Sequence, residues 1–519
     1  MNLSKASRIA VWIICVLCIP AFFINLGYIP FIEDEATRAI VAYEMLQSGN
    51  FIVPTINGDP YYYKPPLYNW VIALSYSVFG EVSEFTTRVP TVLLLFGFTY
   101  HIYLIVKRQT DHQTYATAVA LTFLTCGRIL FYDSFLGLID IGFSWVAFVL
   151  LVKFYQVKDN PSQLLSIYLL AAVAYLLKGF PAFVFLACGM AAYIIYFREI
   201  KSLLTKWHLG GILILTALLG SYYMAYLQFQ NPTEVLSPLL HQSTMRTFLY
   251  NDIISVIKHL VMFPLENVYH FLPWSLLTLA GITWLNKDRK EYNRFSDFMG
   301  ILFLTNIPVY WVSPGTYPRY LIMLIPLYFG YFLAYYFTYK FSVATKSISI
   351  LLIVLMVIAG LLGLVVAWTP LGDNPLLIGL GIAHFAIVVL LLFAIKRRLI
   401  PIWIAMVIIL LIMRIFFDFG ILTTKNISNG AAKARVETRR IANTYSPLHI
   451  YKEGRLDKAS SYYLATAKKS PLDRKEELEP NKYYILDTFE LDFPLVPHQR
   501  IDSFDIVEFR RTVYVIKAE

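Results

Sequence analysis

Ile9-Ala-Val-Trp-Ile-Ile-Cys15-Val-Leu-Cys18-Ile-Pro20-Ala-Phe-Phe-Ile24-Asn-Leu-Gly-Tyr28 is a nearly continuous apolar run that follows Lys5 and Arg8. About 20 such residues in a helix cross the roughly 30 Å of hydrocarbon in a bilayer. No small-x-small cleavage pattern follows the run. It reads as an uncleaved signal anchor whose basic end stays in the cytoplasm. Runs of the same kind recur as far as Leu422, from a second near 88–106 to a last near 399–422. Block length predicts about 13 spans.

Composition agrees with that reading. The 519 residues are 58% hydrophobic and only 15% charged, where a soluble globular chain carries about 25% charged residues. An ordinary soluble enzyme is excluded. The 38 Phe and 37 Tyr exclude a disordered chain as well. The net charge of +10 points to no nucleic acid, because in a membrane protein the position of charge matters more than its total. Cys15, Cys18, Cys126 and Cys188 all lie in apolar blocks. Cys15 and Cys18 have CxxC spacing without nearby ligands, so they read as small buried side chains rather than a redox or zinc pair.

Charge position also orients the spans. With the N-terminus inside, the inner loops hold Lys107-Arg108, Lys153 with Lys158, Arg198 with Lys201 and Lys206, and the Lys287–Arg294 group. Lys340 with Lys346 and Lys396-Arg397-Arg398 complete the series. Every inner loop is basic, and outer Thr369–Pro375 has no Lys or Arg. This places the C-terminus outside. Two outer loops are long, near 30–88 and 230–269. The membrane part is expected over 1–424, and 425–519 is expected to form a small soluble α/β domain. In it Lys482–Asp487 and Thr512–Lys517 read as strands and Ala431–Asn443 as a helix. No Gly-rich phosphate loop or nucleotide-binding motif is visible in the sequence.

The first outer loop opens Ile32-Glu33-Asp34-Glu35-Ala36-Thr37-Arg38. Carboxylates at a membrane interface are costly unless solvated or paired, so they mark a candidate site. They equally suit the N-terminus of a helix over Ala36–Leu46. The loop continues Tyr61-Tyr62-Tyr63-Lys64-Pro65-Pro66, a cation on a backbone that the prolines keep from being helical. Such a lysine suits a lipid phosphate, and equally an interfacial anchor beside an aromatic belt.

The order Asp34-Glu35, Glu44-Met45-Leu46, Asn57-Gly58, Lys64-Pro65-Pro66, Arg88-Val89-Pro90 resembles a known first outer loop. It is similar to that of the bacterial protein O-mannosyltransferase superfamily, including the lipid A aminoarabinose transferases. Lys178-Gly179, Pro273-Trp274-Ser275 and Pro318-Arg319-Tyr320-Leu321 fit the same pattern. The resemblance covers roughly residues 1–420. It implies an all-α polytopic membrane protein of GT-C type, with the small C-terminal α/β domain in the periplasm. It also implies an inverting glycosyltransferase of the bacterial inner membrane that uses an undecaprenyl-phosphate sugar donor and a lipid A, glycan or protein acceptor. A transporter or flippase of a lipid-linked sugar is the competing reading. The expected partners are the donor, the acceptor and membrane lipids, with no nucleic acid.

Site roles follow from the resemblance. Asp34 is the expected catalytic carboxylate and Glu35 its neighbour, organising Arg38 or a metal. A second acid stands before the fourth span, where Asp140 fits better and Asp133 is the alternative. Lys64, Arg246, Tyr317 and Arg319 are expected on the donor phosphate, because departing negative charge must be met by cations and donors. Tyr63 and Lys178 are additional candidates, Lys178 as a partner of Asp140 or Asp133. No tightly bound metal is expected, because His241, His259 and His270 match no ligand spacing. A weakly held divalent ion between Asp34 and Asp140 is compatible with the fold type. Where many relatives have Phe-Glu before Lys-Pro-Pro, this chain has Tyr62-Tyr63.

Overall fold

The computed structural model describes residues 3–32, 34–245, 252–285, 294–339, 342–369, 373–420, 422, 430–452, 454–487, 498–506 and 511–519. Seven helices among them are long and apolar enough to cross a bilayer: Lys5–Phe23, Glu84–Thr110, Asp140–Val157, Lys206–Tyr226, Val343–Val365, Pro375–Lys396 and Ile402–Phe419. Gln163–Lys178 and Pro181–Phe197 fall at expected spans but are shorter. The chain is a multi-pass membrane protein.

The span expected over 113–131 is broken. Gln113–Leu124 and Gly127–Phe135 meet at a 45° bend. The amide of Gly127 donates to Leu272 O at 3.0 Å instead of continuing the helical ladder. A Cβ at Gly127 would stand 2.7 Å from that carbonyl oxygen, so the crossing requires glycine. The bend turns residues 127–139 back into the protein, where Ile129, Leu130, Phe135 and Leu136 are buried.

The outer loop expected over 230–269 is largely helical, as Pro232–Thr244 and Ile253–His270. The second of these exposes Ile253, Ile254, Ile257, Val261, Leu265 and Val268, as a helix lying in a membrane interface does. The first loop is ordered throughout. Helix Glu35–Ser48 ends at Gly49, whose φ of 70° gives the left-handed C-cap. A short hairpin then pairs Thr55 with Pro60 and Ile56 with Asp59. The Glu44 carboxylate holds it, accepting from Thr55 Oγ1 at 2.6 Å, Asn57 N at 2.6 Å and Gly58 N at 3.3 Å.

The C-terminal part is a five-stranded sheet in the order Arg474–Lys475, Leu448–Tyr451, Tyr483–Asp487, Arg511–Ala518, His498–Ile506. Its first three strands are parallel and the last two join antiparallel. Helices Gly430–Thr444 and Lys458–Lys468 accompany it. The second docks on the first loop: Tyr463 Oη accepts from Phe31 N at 3.1 Å and donates to Glu84 at 3.0 Å. Asn57 Nδ2 also donates to Ser461 Oγ at 3.1 Å.

Candidate active site

Glu35 begins the helix after the first span and is fully buried. Its oxygens meet Arg88 Nε at 2.8 Å and Nη2 at 2.9 Å, a two-point pair. Gly137 N at 2.6 Å and Ile32 N at 3.0 Å complete its shell. Arg88 is equally satisfied, donating also to the carbonyls of Leu26, Ile29 and Pro30. Glu35 thus ties the first loop, the Glu84–Thr110 helix and the broken segment together. The sequence suggested Arg38 as its partner; the structure gives Arg88.

Around this tie a second group of charges meets. Lys178, last residue of its helix, stands before Gly179, whose φ of 83° turns the chain sharply. Its Nζ lies 2.5 Å from Asp140, the first residue of helix Asp140–Val157. Arg319, on the short turn Pro318–Leu321, lies with Nε 3.5 Å from Asp140 and Nη2 3.5 Å from Asp34. Asp140, Lys178 and Arg319 are all buried, whereas the Asp34 side chain is 65% exposed. Lys64 is half-buried and near enough for its charge to act on Asp140. Two carboxylates therefore face three cations, and the cluster carries surplus positive charge.

Aromatic rings shape this group. Tyr320 lies under Lys178 at 4.0 Å, and Tyr317 faces the Arg319 guanidinium at 4.4 Å. Arg38 donates to Tyr61 Oη at 2.6 Å. Burial pushes the Tyr61 hydroxyl above its ordinary value, so this partner stays neutral. Tyr63 is exposed and packs edge-on against Tyr61.

Of the two acids weighed in the sequence, Asp140 joins the cluster. Asp133 receives Arg128 Nε, 3.2 Å from each of its oxygens, and lies near enough for the charges of Asp140 and Arg319 to act on it; its own arginine balances it. Arg246 and Glu33 lie outside the described residues. Among the described residues no three His, Cys, Asp or Glu side chains converge as a metal site. Asp34 and Asp140 both meet the Arg319 guanidinium, and among the described residues no further His, Cys, Asp or Glu joins them to make a metal-binding group.

Sequence reasoning gave Arg88 and Tyr320 no role, although both lie in quoted motifs. Arg88 carried a signal, since an arginine inside an apolar run predicts a buried acidic partner.

A match to known proteins now has a geometry to stand on. Residues 63–223 match the family of dolichyl-phosphate-mannose-protein mannosyltransferases. An undecaprenyl phosphate-alpha-4-amino-4-deoxy-L-arabinose arabinosyl transferase of Shewanella sediminis is 31% identical, over 39% of this chain and 38% of its own. One of Pseudomonas aeruginosa is 25% identical over 62% of this chain and 59% of its own. The chain thus spans less than two thirds of the length of these relatives. The crystal structure of ArnT from Cupriavidus metallidurans bound to undecaprenyl phosphate superposes with a TM-score of 0.71, covering 98% of this chain and 97% of that one at 17% identity. Its apo state gives 0.72 at 16% identity, covering 98% of each chain. The chain has the GT-C fold. The membrane helices and the small sheet domain of this GT-C protein both fall within that superposition, as the sequence resemblance implied.

Proposed function

We propose that this chain is an inverting glycosyltransferase that takes a sugar from an undecaprenyl-phosphate carrier. The observation that carries the reading is the surplus of cations over carboxylates around Asp34 and Asp140. A sugar phosphodiester brings one negative charge to that surplus, and the released carrier phosphate brings more. Lys178, Arg319 and Lys64 meet that growth in charge, with the Tyr317 hydroxyl as a further donor. Asp140 holds Lys178 and Arg319 in place.

Asp34 is the exposed acid, on the open side of Arg319, where an acceptor can reach it. For a hydroxyl acceptor it takes the proton as the acceptor oxygen bonds to the anomeric carbon. The bond from that carbon to the phosphate oxygen breaks on the opposite face, and the carrier leaves with the electron pair. For a phosphate acceptor, already ionised, Asp34 orients the attacking group instead. A lipid A, glycan or protein acceptor fits this scheme.

The basic loops support a cytoplasmic N-terminus in the bacterial inner membrane, with the site and residues 425–519 in the periplasm. The transporter reading expects a cluster of charged groups near the bilayer midplane. The charges near the end of the last span, Arg414 and Asp418, instead pair with each other at 3.0 Å.

The test is transfer of labelled sugar from bacterial polyprenyl-phosphate donors to an outer-membrane extract in proteoliposomes. Wild type is compared with Asp34→Asn and Lys64→Ala. Loss of transfer in both, with donor still bound by Asp34→Asn, supports the reading. Movement of donor across the bilayer without change of carrier overturns it.

A further inference from the structure

At the pole opposite this site, the helices that carry Arg88 and Asp140 flank a second polar feature. Arg108 lies 20 residues beyond Arg88 on helix Glu84–Thr110, about 30 Å along the axis. Lys153 lies 13 residues beyond Asp140 on helix Asp140–Val157, about 20 Å away. Between them is a cavity of about 260 Å³ lined by His101, Arg108, Gln109, Lys153 and Gln156 on its polar side. Its remaining wall is apolar, from Leu104, Ile105, Val149 and Val152.

The polar lining holds donors and no acid. Arg108 stands near enough to Lys153 for the two like charges to repel. Among the described residues neither makes an ion pair. Lys153 donates to Gln163 Oε1 at 2.9 Å, and an ammonium has two further protons to give. Trp145 Nε1 donates to His101 Nδ1 at 3.0 Å, so a neutral His101 carries its proton on Nε2. Basic residues at this pole are ordinary in a membrane protein. Two of them held together in a half-apolar cavity, without a carboxylate, are not explained by that rule.

We propose that this cavity binds the phosphate of an anionic phospholipid from the leaflet at that pole. Arg108 and Lys153 contact the phosphate, with the His101 and glutamine N–H groups beside them. The apolar wall receives the start of an acyl chain. A lipid is favoured over a free anion because half of the lining is apolar and its polar residues stand near the ends of two membrane-spanning helices.

The full-length protein in nanodiscs is titrated with phosphatidylglycerol, with phosphatidylcholine and with inorganic phosphate, reading bound lipid by native mass spectrometry and the thermal transition. Wild type is compared with Arg108→Gln/Lys153→Gln and with Lys107→Gln/Lys158→Gln. The second pair removes the same charge at the same pole but outside the cavity. The expected result is a fall in phosphatidylglycerol affinity of roughly tenfold or more for the first pair alone. Phosphatidylcholine binding is unchanged throughout. Equal losses in both pairs overturn the proposal in favour of general surface charge. If inorganic phosphate stabilises wild type as much as the lipid does, the cavity is a free-anion site and the lipid assignment fails. A first pair that has lost its cooperative thermal transition is replaced by Arg108→Lys/Lys153→Arg. That variant keeps the charge and is expected to retain binding; loss of phosphatidylglycerol binding in it, with a normal transition, also counts against the proposal.

Discussion

Asp34 and Glu35 are neighbours in the chain and opposites in environment. Glu35 is buried with every oxygen engaged, by Arg88, Gly137 and Ile32. Asp34 is mostly exposed and meets Arg319 at a loose 3.5 Å. One acid has its hydrogen-bonding capacity filled by the fold, and the other leaves most of it open. On the function proposed above, the difference separates stability from chemistry within a single dipeptide.

The largest expected effect breaks the first of the pair. Arg88→Met leaves an uncompensated buried carboxylate and is expected to cost about 3–5 kcal/mol. It is read as loss of monodisperse protein and a lowered thermal transition in detergent. Asp34→Asn is expected to leave that transition unchanged while cutting transfer by roughly 10²–10⁴. If Asp34→Asn unfolds the protein, or Arg88→Met stays folded and loses only transfer, the division of roles between the two acids is wrong.

Arg319 sharpens the same comparison, because it touches the exposed acid and the buried Asp140 together. Its planar fork reaches both; a lysine is a point charge and cannot. Arg319→Lys is therefore expected to lower transfer about tenfold at saturating acceptor, since one cation to Asp140 is kept and the bridge to Asp34 is lost. Equal activity in Arg319→Lys and wild type would show that the bridge has no role.

The contrast also explains what was legible in the sequence. The membrane class, the order of most spans and the helix after Asp34 follow from local patterns: apolar run length, basic loops, and acids before a helical stretch. The bend at Thr125–Cys126 was not legible, because it depends on Gly127 meeting Leu272, a contact made 145 residues away. The helices in 230–269 were passed over because neither is an apolar block of span length, although Ile253, Ile257, Val261, Leu265 and Val268 recur at helical spacing. In the site, Arg319 and Asp140 stood out as charges at span ends, and Lys64 as a cation on a proline-fixed loop. The resemblance favoured Asp140 over Asp133, and the structure gives the two different partners, Lys178 and Arg128.

The smallest expected effect concerns how the tail domain holds this region. Tyr463 Oη links Phe31 N, three residues before Asp34, to Glu84 at the start of the helix that carries Arg88. Phe31 also packs against Tyr462 and Tyr463 with ring centroids 4.8 and 6.1 Å away. Tyr463→Phe keeps the ring contacts and removes only the hydroxyl, so a loss of about 1 kcal/mol is expected. The effect should be local. Amide exchange is expected to rise at Phe31 and Asp34 and to stay unchanged at Glu35 and in helix Asp140–Val157. Because Arg88 also binds the carbonyls of Leu26, Ile29 and Pro30, Glu35 stays fixed while the exposed acid gains freedom. Transfer should then fall a few-fold with no change in thermal transition beyond that ~1 kcal/mol. Faster exchange at Glu35 than at Asp34 would reverse the assignment of the rigid and the working carboxylate.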